Sequence, residues 1–372
     1  MNRVTFYPVW VTQVIVSMGP DTKEMKSPQI FFLLTILLLL FPVTPPACCF
    51  TPAEIADINR SVELTINHEY LQAITVFNCR LEDSGQNMTA ADEAVAHFHI
   101  ATVYASWMQD REDFAKLESY QFHLERCEQL TDSLLLEVEN PDLRFIRAGC
   151  SLYHSYLAKR QGQWWRMYRQ GMDGVNRLEK LAEDYPDYRE VDLGLGNYYY
   201  WKSSLLQHFA WVPFVRDHRS RGIAQLERAA AEGRFGSWLA VSNLTWILMD
   251  YGQTEQALQL ALKGRERFPD SRHFLFPLAK AELQSGQLTI ADSLYTLLLQ
   301  QVTKDQQPSR YNEFYCLEKL VNIKLERGMR EQALFCCDRA LALPLSPSVQ
   351  KRVEENLEEL LLLSAQRERE RP

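Results

Sequence analysis

The chain has 372 residues, of which 46% are hydrophobic and 24% are charged, a composition typical of a folded globular protein. Its formal net charge of −8 argues against a general nucleic-acid-binding surface, which would have to be basic, so we expect no nucleic-acid partner. After about residue 50, Ala, Leu, Glu, Gln and Arg dominate, and alternating Val, Ile and Thr segments are nearly absent. These proportions predict an all-α fold.

An uncharged apolar run of 12 residues, Ile30 to Phe41, stands near the beginning of the chain. Lys23 and Lys26 precede it and the segment PVTPPACC follows it, which is the order of a secretory signal. The run is shorter than the ~20 residues of a membrane span. We therefore predict a signal sequence over residues 1–49 and an exported protein, periplasmic or associated with the outer membrane of a bacterial envelope. A start at Met25 gives a complete signal as well, in which case the preceding residues are a misassigned extension.

Two routes of membrane association stay open at the end of this segment. Cys48 follows Ala47 and is a candidate for the acylated cysteine of a bacterial lipoprotein, and an uncleaved apolar run would act as a signal anchor. A lipoprotein signal places an aliphatic residue three positions before the cysteine and a small residue two positions before it, whereas both positions are proline here. Simple cleavage is therefore favoured over lipidation.

The chain contains eight cysteines, none of them in a C-x-x-C pattern, and no histidine spacing completes a zinc site. We therefore expect no metal and no cofactor. The cysteines are interpreted as small buried side chains, although export would permit disulfides.

Small residues recur at a fixed spacing in the last third of the chain. A glycine followed five residues later by an alanine appears three times, with offsets of 34 and 42 residues between copies. Glycine suits a tight turn between two helices, alanine suits the closest crossing of a helix pair, and a proline after the first copy would end its second helix. The predicted structural positions are Gly252, Ala257, Pro269, Gly286, Ala291, Gly328 and Ala333.

This 34-residue period resembles the tetratricopeptide repeat. Weaker matches lie upstream, as in Leu195-Gly196-x-x-Tyr199, where Gly196 takes the small position of a first helix. The resemblance implies a right-handed solenoid of helical hairpins whose first helices line a concave surface for an extended peptide or a helix. The family's Lys and Asn clamp for C-terminal carboxylates is not evident, so that specificity is not carried over.

The repeats divide the chain into predicted parts. Residues 50–236 are expected to form divergent helical repeats with long helix pairs and an aromatic-rich insertion, and residues 237–344 regular tetratricopeptide repeats. Residues 345–372 are expected to form a C-terminal capping helix and a charged tail.

One aromatic block departs from the repeat pattern. Four consecutive aromatic residues on a helix point in all directions, so at least one of Tyr198, Tyr200 and Trp201 is expected to be partly exposed. The block is either core or an aromatic-lined groove for a peptide, a glycan or a lipid. The candidate binding residues are Tyr198, Tyr200, Trp201, Lys202 and Trp211.

Charge is unevenly spread between two neighbouring segments. Leu81 to Asp142 carries 14 acidic and 3 basic residues, whereas Leu143 to Lys180 carries 8 basic and 2 acidic ones. These segments are either oppositely charged faces that orient a partner or ordinary solvated helix surfaces.

Catalytic signatures are missing from the sequence, since it has no HExxH, no G-x-S-x-G and no Walker loop. We therefore expect a protein that is not an enzyme. The leading hypothesis is an interaction scaffold of the cell envelope that binds a protein or peptide partner on the repeat surface. The alternative is a small-ligand or glycan receptor that uses the aromatic residues between Tyr198 and Trp211.

Overall fold

The computed structural model describes residues 50–83, 88–206, 216–305 and 308–370. This part of the chain folds into sixteen α-helices and contains no β-strand. The helices are α1 (Pro52–Ile66), α2 (Tyr70–Asp83), α3 (Ala90–Arg111), α4 (Leu117–Leu134), α5 (Pro141–Arg160), α6 (Trp164–Asp184), α7 (Val191–Leu206), α8 (Arg219–Glu232), α9 (Ser237–Tyr251), α10 (Thr254–Arg267), α11 (Arg272–Gln284), α12 (Leu288–Lys304), α13 (Arg310–Glu326), α14 (Arg330–Leu341), α15 (Pro347–Arg352) and α16 (Glu354–Glu370).

The helices pack as consecutive pairs, from α1 with α2 to α13 with α14, and each pair packs on the next. We call the odd-numbered member of each hairpin its first helix and the even-numbered member its second helix. The short α15 leads into α16, which packs on α14. The predicted all-α solenoid of helical hairpins is confirmed.

Glycine makes the turn between the two helices in each of the last three hairpins. Gly252, Gly286 and Gly328 have φ angles of +90°, +74° and +72°, in the left-handed region where a side chain would be strained. A different constraint acts at Gly196 on α7, where a Cβ atom would lie 2.8 Å from the carbonyl oxygen of Gly222 on α8. Glycine at these two positions lets the two helix backbones approach closely.

The repeated alanines lie where the two helices of a hairpin meet. Ala257, Ala291 and Ala333 are fully buried, each in the first turn of a second helix. Pro269 follows the end of α10 directly after its C-cap residue, Phe268. The 34-residue spacing thus corresponds to hairpins with a glycine turn and a close helix crossing.

The first helices are buried around most of their circumference. Every residue of α9 from Ala240 to Met249 is buried, and so is every residue of α13 from Tyr311 to Glu318. The second helices bury one side only, as α10 does with Ala257, Ala261 and Gly264. A helix buried all round lies inside a protein, so the first helices form the interior of the solenoid.

The solenoid closes on itself, because its N-terminal first helices contact the C-terminal ones. The Ser271 hydroxyl, before α11, donates to the carbonyl of Ile66 in α1 at 2.7 Å. The Arg272 guanidinium pairs with Asp110 of α3, whose carbonyl accepts from the Asn312 amide of α13 at 2.7 Å. The expectation of an open concave groove along the first helices is therefore wrong for the described residues, since the chain fills this surface itself.

The segment 233–236 between α8 and α9 contributes to this closure. The Phe235 ring packs against the rings of Phe50 and Phe145, at centroid distances of 5.4 and 5.8 Å. The Arg234 guanidinium forms ion pairs with the buried carboxylates of Asp142 and Glu190. One short connection thus joins the N-terminal segment to α5 and to the start of α7.

Several sequence predictions fall outside the described residues. The signal sequence, the start at Met25, Cys48 and the aromatic insertion around Trp211 belong to this group and stay predictions. The proposed division at residues 236 and 344 also stays a prediction. Within the described ranges, no helix combines the length and the apolar character needed to cross a membrane.

Candidate functional site

The aromatic block lies in the core. The exposed fractions of Tyr198, Tyr200 and Trp201 are 2%, 0% and 3%, so the expectation that one of them would be partly exposed is wrong. The physical reason is that α7 is a first helix, enclosed by α6, α8 and α9, so that every direction around it leads into protein. The Tyr200 hydroxyl, for example, donates to the Asp250 carboxylate at 2.7 Å.

Lys202 belongs to the same block. Its ammonium group lies 3.3 Å from the Tyr198 hydroxyl and 5.3 Å from the centroid of the Tyr198 ring. The structure therefore brings Tyr198, Tyr200, Trp201 and Lys202 together, but the three rings present no open face for stacking. Their role in binding stays a prediction, and Trp211 lies outside the described residues.

Between the first helices remains a cavity of about 140 Å³, which we call the inner cavity. Its walls are mainly apolar and come from α1, α3, α5, α7 and the segment that leads into α9, with single residues from α6, α8 and α9. Aromatic and aliphatic side chains and several glycines form most of the surface. The apolar and glycine lining includes Val62, Phe98, Ala105, Phe145, Gly149, Leu152, Tyr153, Tyr156, Leu178, Leu193, Gly194, Ala229, Gly233, Phe235, Gly236 and Leu239.

Polar groups reach the inner cavity mainly from one side of α3, where His99, Thr102, Ser106 and Gln109 follow one another at helical spacing. The hydroxyls of Thr102 and Ser106 donate to carbonyls of their own helix, at 2.8 and 2.9 Å. The His99 ring stacks on Phe77 at a centroid distance of 5.2 Å. Burial lowers the pKa of His99 to about 3, so this imidazole is neutral.

A second feature lies on the outside, where the turn of the α5–α6 hairpin meets that of the α3–α4 hairpin. Trp164 and Trp165 begin α6 with exposed fractions of 61% and 74%, and Phe114 on the neighbouring turn is 41% exposed. The Arg160 guanidinium lies 4.3 Å from the Phe114 ring centroid and so links the two turns. We call Phe114, Arg160, Trp164, Trp165, Arg166 and Arg169 the tip surface.

Two of the three arginines of the tip surface, Arg166 and Arg169, are exposed, and within the described ranges no carboxylate forms an ion pair with either of them. The third, Arg160, lies 3.8 Å from the Glu112 carboxylate. Arg166 makes one long hydrogen bond, 3.4 Å to the Gln163 side chain. Exposed aromatic rings and guanidinium groups without a carboxylate partner among the described residues thus follow one another at the start of α6.

Trp164 and Trp165 were not among the candidate binding residues predicted from the sequence. The available signal was their position two and three residues after Gly162, which has a φ of +71° and makes the turn into α6. Side chains at the beginning of a second helix have no preceding turn to cover them. Two adjacent tryptophans there can therefore stay exposed, whereas tryptophans in the middle of a first helix are expected to be buried.

Potential metal ligands and thiols are present in the described part of the chain. Over the ranges that the structure describes, no group of His, Cys, Asp or Glu side chains is arranged to hold a metal ion. Cys127 and Cys150 are buried free thiols whose Sγ atoms lie 3.4 Å apart. Burial raises the pKa of Cys127 well above its usual range, which keeps this thiol protonated.

No protein-family model matches the chain, and no curated protein matches it either. Solved structures do match it. The C-terminal part of a TPR repeat-containing protein from Cytophaga hutchinsonii is 14% identical, with 80% of this chain and 99% of that chain covered and a TM-score of 0.34. A monomeric mutant of IFIT1 with Gppp-AAAA is also 14% identical, with coverages of 78% and 68% and a TM-score of 0.41. The paired helices, the glycine turns and the buried alanines at a 34-residue period make the fold of this chain tetratricopeptide-like.

Proposed function

We propose that the protein is an exported, non-catalytic interaction scaffold of the cell envelope that binds a protein segment at the tip surface. The observation that carries the proposal is the pair of exposed tryptophans, Trp164 and Trp165, beside two arginines to which no carboxylate in the described ranges is paired. Tryptophan and arginine are the residues most enriched at the energetic centres of protein interfaces. A helical-repeat scaffold needs such a surface, and the first helices of this solenoid are occupied by the chain itself.

The chemistry of the tip surface suggests the character of the partner. Each tryptophan offers a large apolar ring that loses little side-chain freedom on binding. The segment from Leu143 to Lys180, which contains most of the tip surface, carries 8 basic and 2 acidic residues. We therefore expect a partner segment with apolar side chains for the two rings and carboxylates for Arg166 and Arg169.

The experiment that tests this proposal measures the affinity of the purified partner and does not stop at identifying it. Cross-linking in intact envelopes identifies the partner, and calorimetry with the purified proteins gives the dissociation constant. The Trp164→Ala/Trp165→Ala double variant should bind at least about tenfold more weakly, because hot-spot truncations cost on the order of 2 kcal/mol or more. Phe335→Ala, which removes a 63% exposed ring on α14 outside the tip surface, is the matched control and should bind normally.

Two results would contradict the proposal. Equal binding by the double variant and by the control would show that the partner contacts another surface. Tryptophan and arginine also suit a membrane–water interface. Sedimentation with anionic vesicles that the double variant abolishes, together with no binding to any protein partner, would make the tip surface a membrane contact instead.

Export is tested separately, by the sequence of the mature N-terminus. The signal over residues 1–49 leads us to expect a mature chain that begins between Cys48 and Ala53 and lies outside the cytoplasm. N-terminal sequencing and intact mass of protein from envelope fractions measure this. A diacylglycerol mass on Cys48 would establish the lipoprotein form, and an uncleaved chain in the cytosol would contradict export.

A further inference from the structure

We infer that the inner cavity binds one small, neutral, ring-shaped organic molecule that carries a single hydrogen-bonding group, such as a phenol. This inference goes beyond the proposed function, because the inner cavity and the tip surface consist of different residues and neither proposal requires the other. It depends on the size of the cavity, on the character of its walls, and on one buried polar side chain that faces it.

The size of the cavity indicates the scale of the ligand. A volume of about 140 Å³ is close to that of an apolar cavity of ~150 Å³ that stays dry and accepts a benzene molecule. Two glycines help to shape these walls. A Cβ atom at Gly149 would lie 2.5 Å from the Phe98 ring, and one at Gly194 would lie 2.6 Å from the Leu178 side chain. Phe98 and Leu178 can therefore stand directly against the backbones of α5 and α7.

The hydrogen-bonding group of the ligand is assigned from His99. This side chain is 7% exposed, and among the described residues no group hydrogen-bonds to its ring nitrogens. It is held by rings instead: Phe77 stacks on it, and Phe98 and Phe235 contact it edge-on. A neutral imidazole has one N–H donor and one acceptor nitrogen, and the His99 side chain lines the cavity. A ligand hydroxyl can satisfy either nitrogen.

The charge of the ligand follows from the ionic groups at the edge of the cavity. Arg189 donates from Nε to Glu232 at 3.0 Å, and Glu190 is paired with Arg234. Glu190 shares Arg234 with Asp142, so neither arginine is left to pair with an anionic ligand. An anion would have to lose its hydration without gaining a counter-ion, so the site should select neutral molecules over anions.

Thermal unfolding and calorimetry with three probes test the inference on the full mature chain. Phenol should raise the unfolding temperature and bind, toluene should bind about tenfold more weakly because it cannot bond to His99, and benzoate should not bind. The nitrogen-15 resonances of the His99 imidazole should shift with phenol and stay in place with toluene. This last measurement uses the unaltered protein.

Two variants separate the hydrogen bond from the cavity itself. The His99→Phe variant keeps an aromatic ring stacked on Phe77 but cannot form the hydrogen bond. Its affinity for phenol should therefore fall to its affinity for toluene. In Ala105→Leu, which puts a larger side chain into the cavity wall, both probes should cease to bind. Should either variant fail to fold, the nitrogen-15 shifts of the unaltered protein decide.

The inference is overturned if phenol neither stabilises the protein nor shifts the His99 resonances, which would mean that the cavity holds at most water. It is also overturned if Ala105→Leu leaves binding intact, because the probe would then sit elsewhere. Neither result bears on the proposed protein binding at the tip surface, because that proposal is tested with a protein partner and with other variants.

Discussion

The first and second helices of the hairpins differ in how much of their circumference is buried. In α9, ten consecutive residues are buried, among them the polar Ser242, Asn243 and Thr245. In α10, the next helix in the chain, three residues are buried and most of the others face solvent. The two helices have similar lengths and lie in one hairpin, so the difference comes from their place in the solenoid.

This difference shows where the molecule is sensitive to change. A first helix has to satisfy its polar groups internally, as Thr245 does by donating to the carbonyl of Val241 at 2.8 Å. A second helix can leave such groups to water. We therefore expect large losses of stability from changes at the interior and small ones at the exterior, where changes should affect binding instead. The first three predictions each compare an interior interaction with an exterior one, the fourth concerns the interior alone, and the fifth concerns the exterior alone.

The largest expected effect is at Arg234. Replacing Arg234 by Met leaves the buried carboxylates of Asp142 and Glu190 without their cation, which should lower the free energy of unfolding by about 3–5 kcal/mol. Arg189→Met, which removes an arginine paired with the more exposed Glu232, should cost less than about 1 kcal/mol. Urea denaturation of both variants measures the difference. Similar losses would mean that the closure around Arg234 contributes little.

The aromatic block gives the next largest effect. Tyr200→Ala removes a fully buried ring from α7 and should lower the free energy of unfolding by about 3–5 kcal/mol. Tyr251→Ala, at a 39% exposed ring on α9, should cost much less. The measurement is chemical denaturation of both variants. A Tyr200→Ala protein of normal stability would contradict the burial of this block.

Overpacking a helix crossing should have an intermediate effect. Ala291→Leu adds three carbon atoms at a fully buried crossing of α12 and should cost about 1–3 kcal/mol. The neighbouring Ile290 is 45% exposed, and Ile290→Leu should change stability by less than about 0.5 kcal/mol. The urea midpoints of the two variants give the comparison. An unchanged midpoint for Ala291→Leu would show that this position is not at a close crossing.

Acid should weaken the interior through its histidines. Burial lowers the pKa values of His99 and His273 to about 3, below the value of about 6.5 expected in the unfolded chain. Because the unfolded state then binds more protons, stability is complete above about pH 6.5 and is lost as the pH falls towards 3. Within this window, each histidine should lower the free energy of unfolding by about 1 kcal/mol for every unit by which the pH falls.

Urea denaturation at pH 7 and pH 5 tests this effect, with His99→Phe for comparison. The variant removes one of the two groups, so its stability should fall less between the two pH values than that of the unaltered protein. Equal falls for both proteins would mean that His99 is protonated in the folded state.

The smallest effect on stability is expected at the tip surface. Trp165→Ala removes a side chain that is 74% exposed and should change the free energy of unfolding by less than about 0.5 kcal/mol. The thermal unfolding temperature should therefore stay close to that of the unaltered protein while partner binding weakens. A large fall in stability would show that Trp165 is part of the packing and would remove the basis of the proposed function.

The features that the sequence predicted well are local. Gly252 and Ala257 serve a turn and a crossing within one hairpin, and their spacing shows directly along the chain. The closure of the solenoid depends on pairs such as Arg272 and Asp110, which are 162 residues apart and leave no periodic signal. The exposure expected for the aromatic block was wrong for the same reason, because it assumed that one side of α7 faces solvent.

The candidate sites could not be identified from the sequence for a similar reason. Trp164 and Trp165 are visible in the sequence, but their exposure depends on the glycine turn before them and on the open edge of the hairpin. His99 is one of eight scattered histidines, and only the packing of α3 against α5 and the segment before α9 places it at a cavity. Residue type and spacing alone cannot distinguish such a histidine from an ordinary buried one.

The closing contacts also have a consequence for how the chain folds. An open repeat array behaves almost as a one-dimensional system, in which hairpins form locally and add to one another. Here Ser271 and Arg267 form hydrogen bonds with Ile66 and Glu63, which lie more than 200 residues earlier in the chain. Contacts of such long sequence separation slow folding, since a large loop must be ordered before they form. We therefore expect one slow, cooperative transition, and a chain that lacks the last three hairpins should leave α1 and α3 uncovered rather than form a shorter stable solenoid.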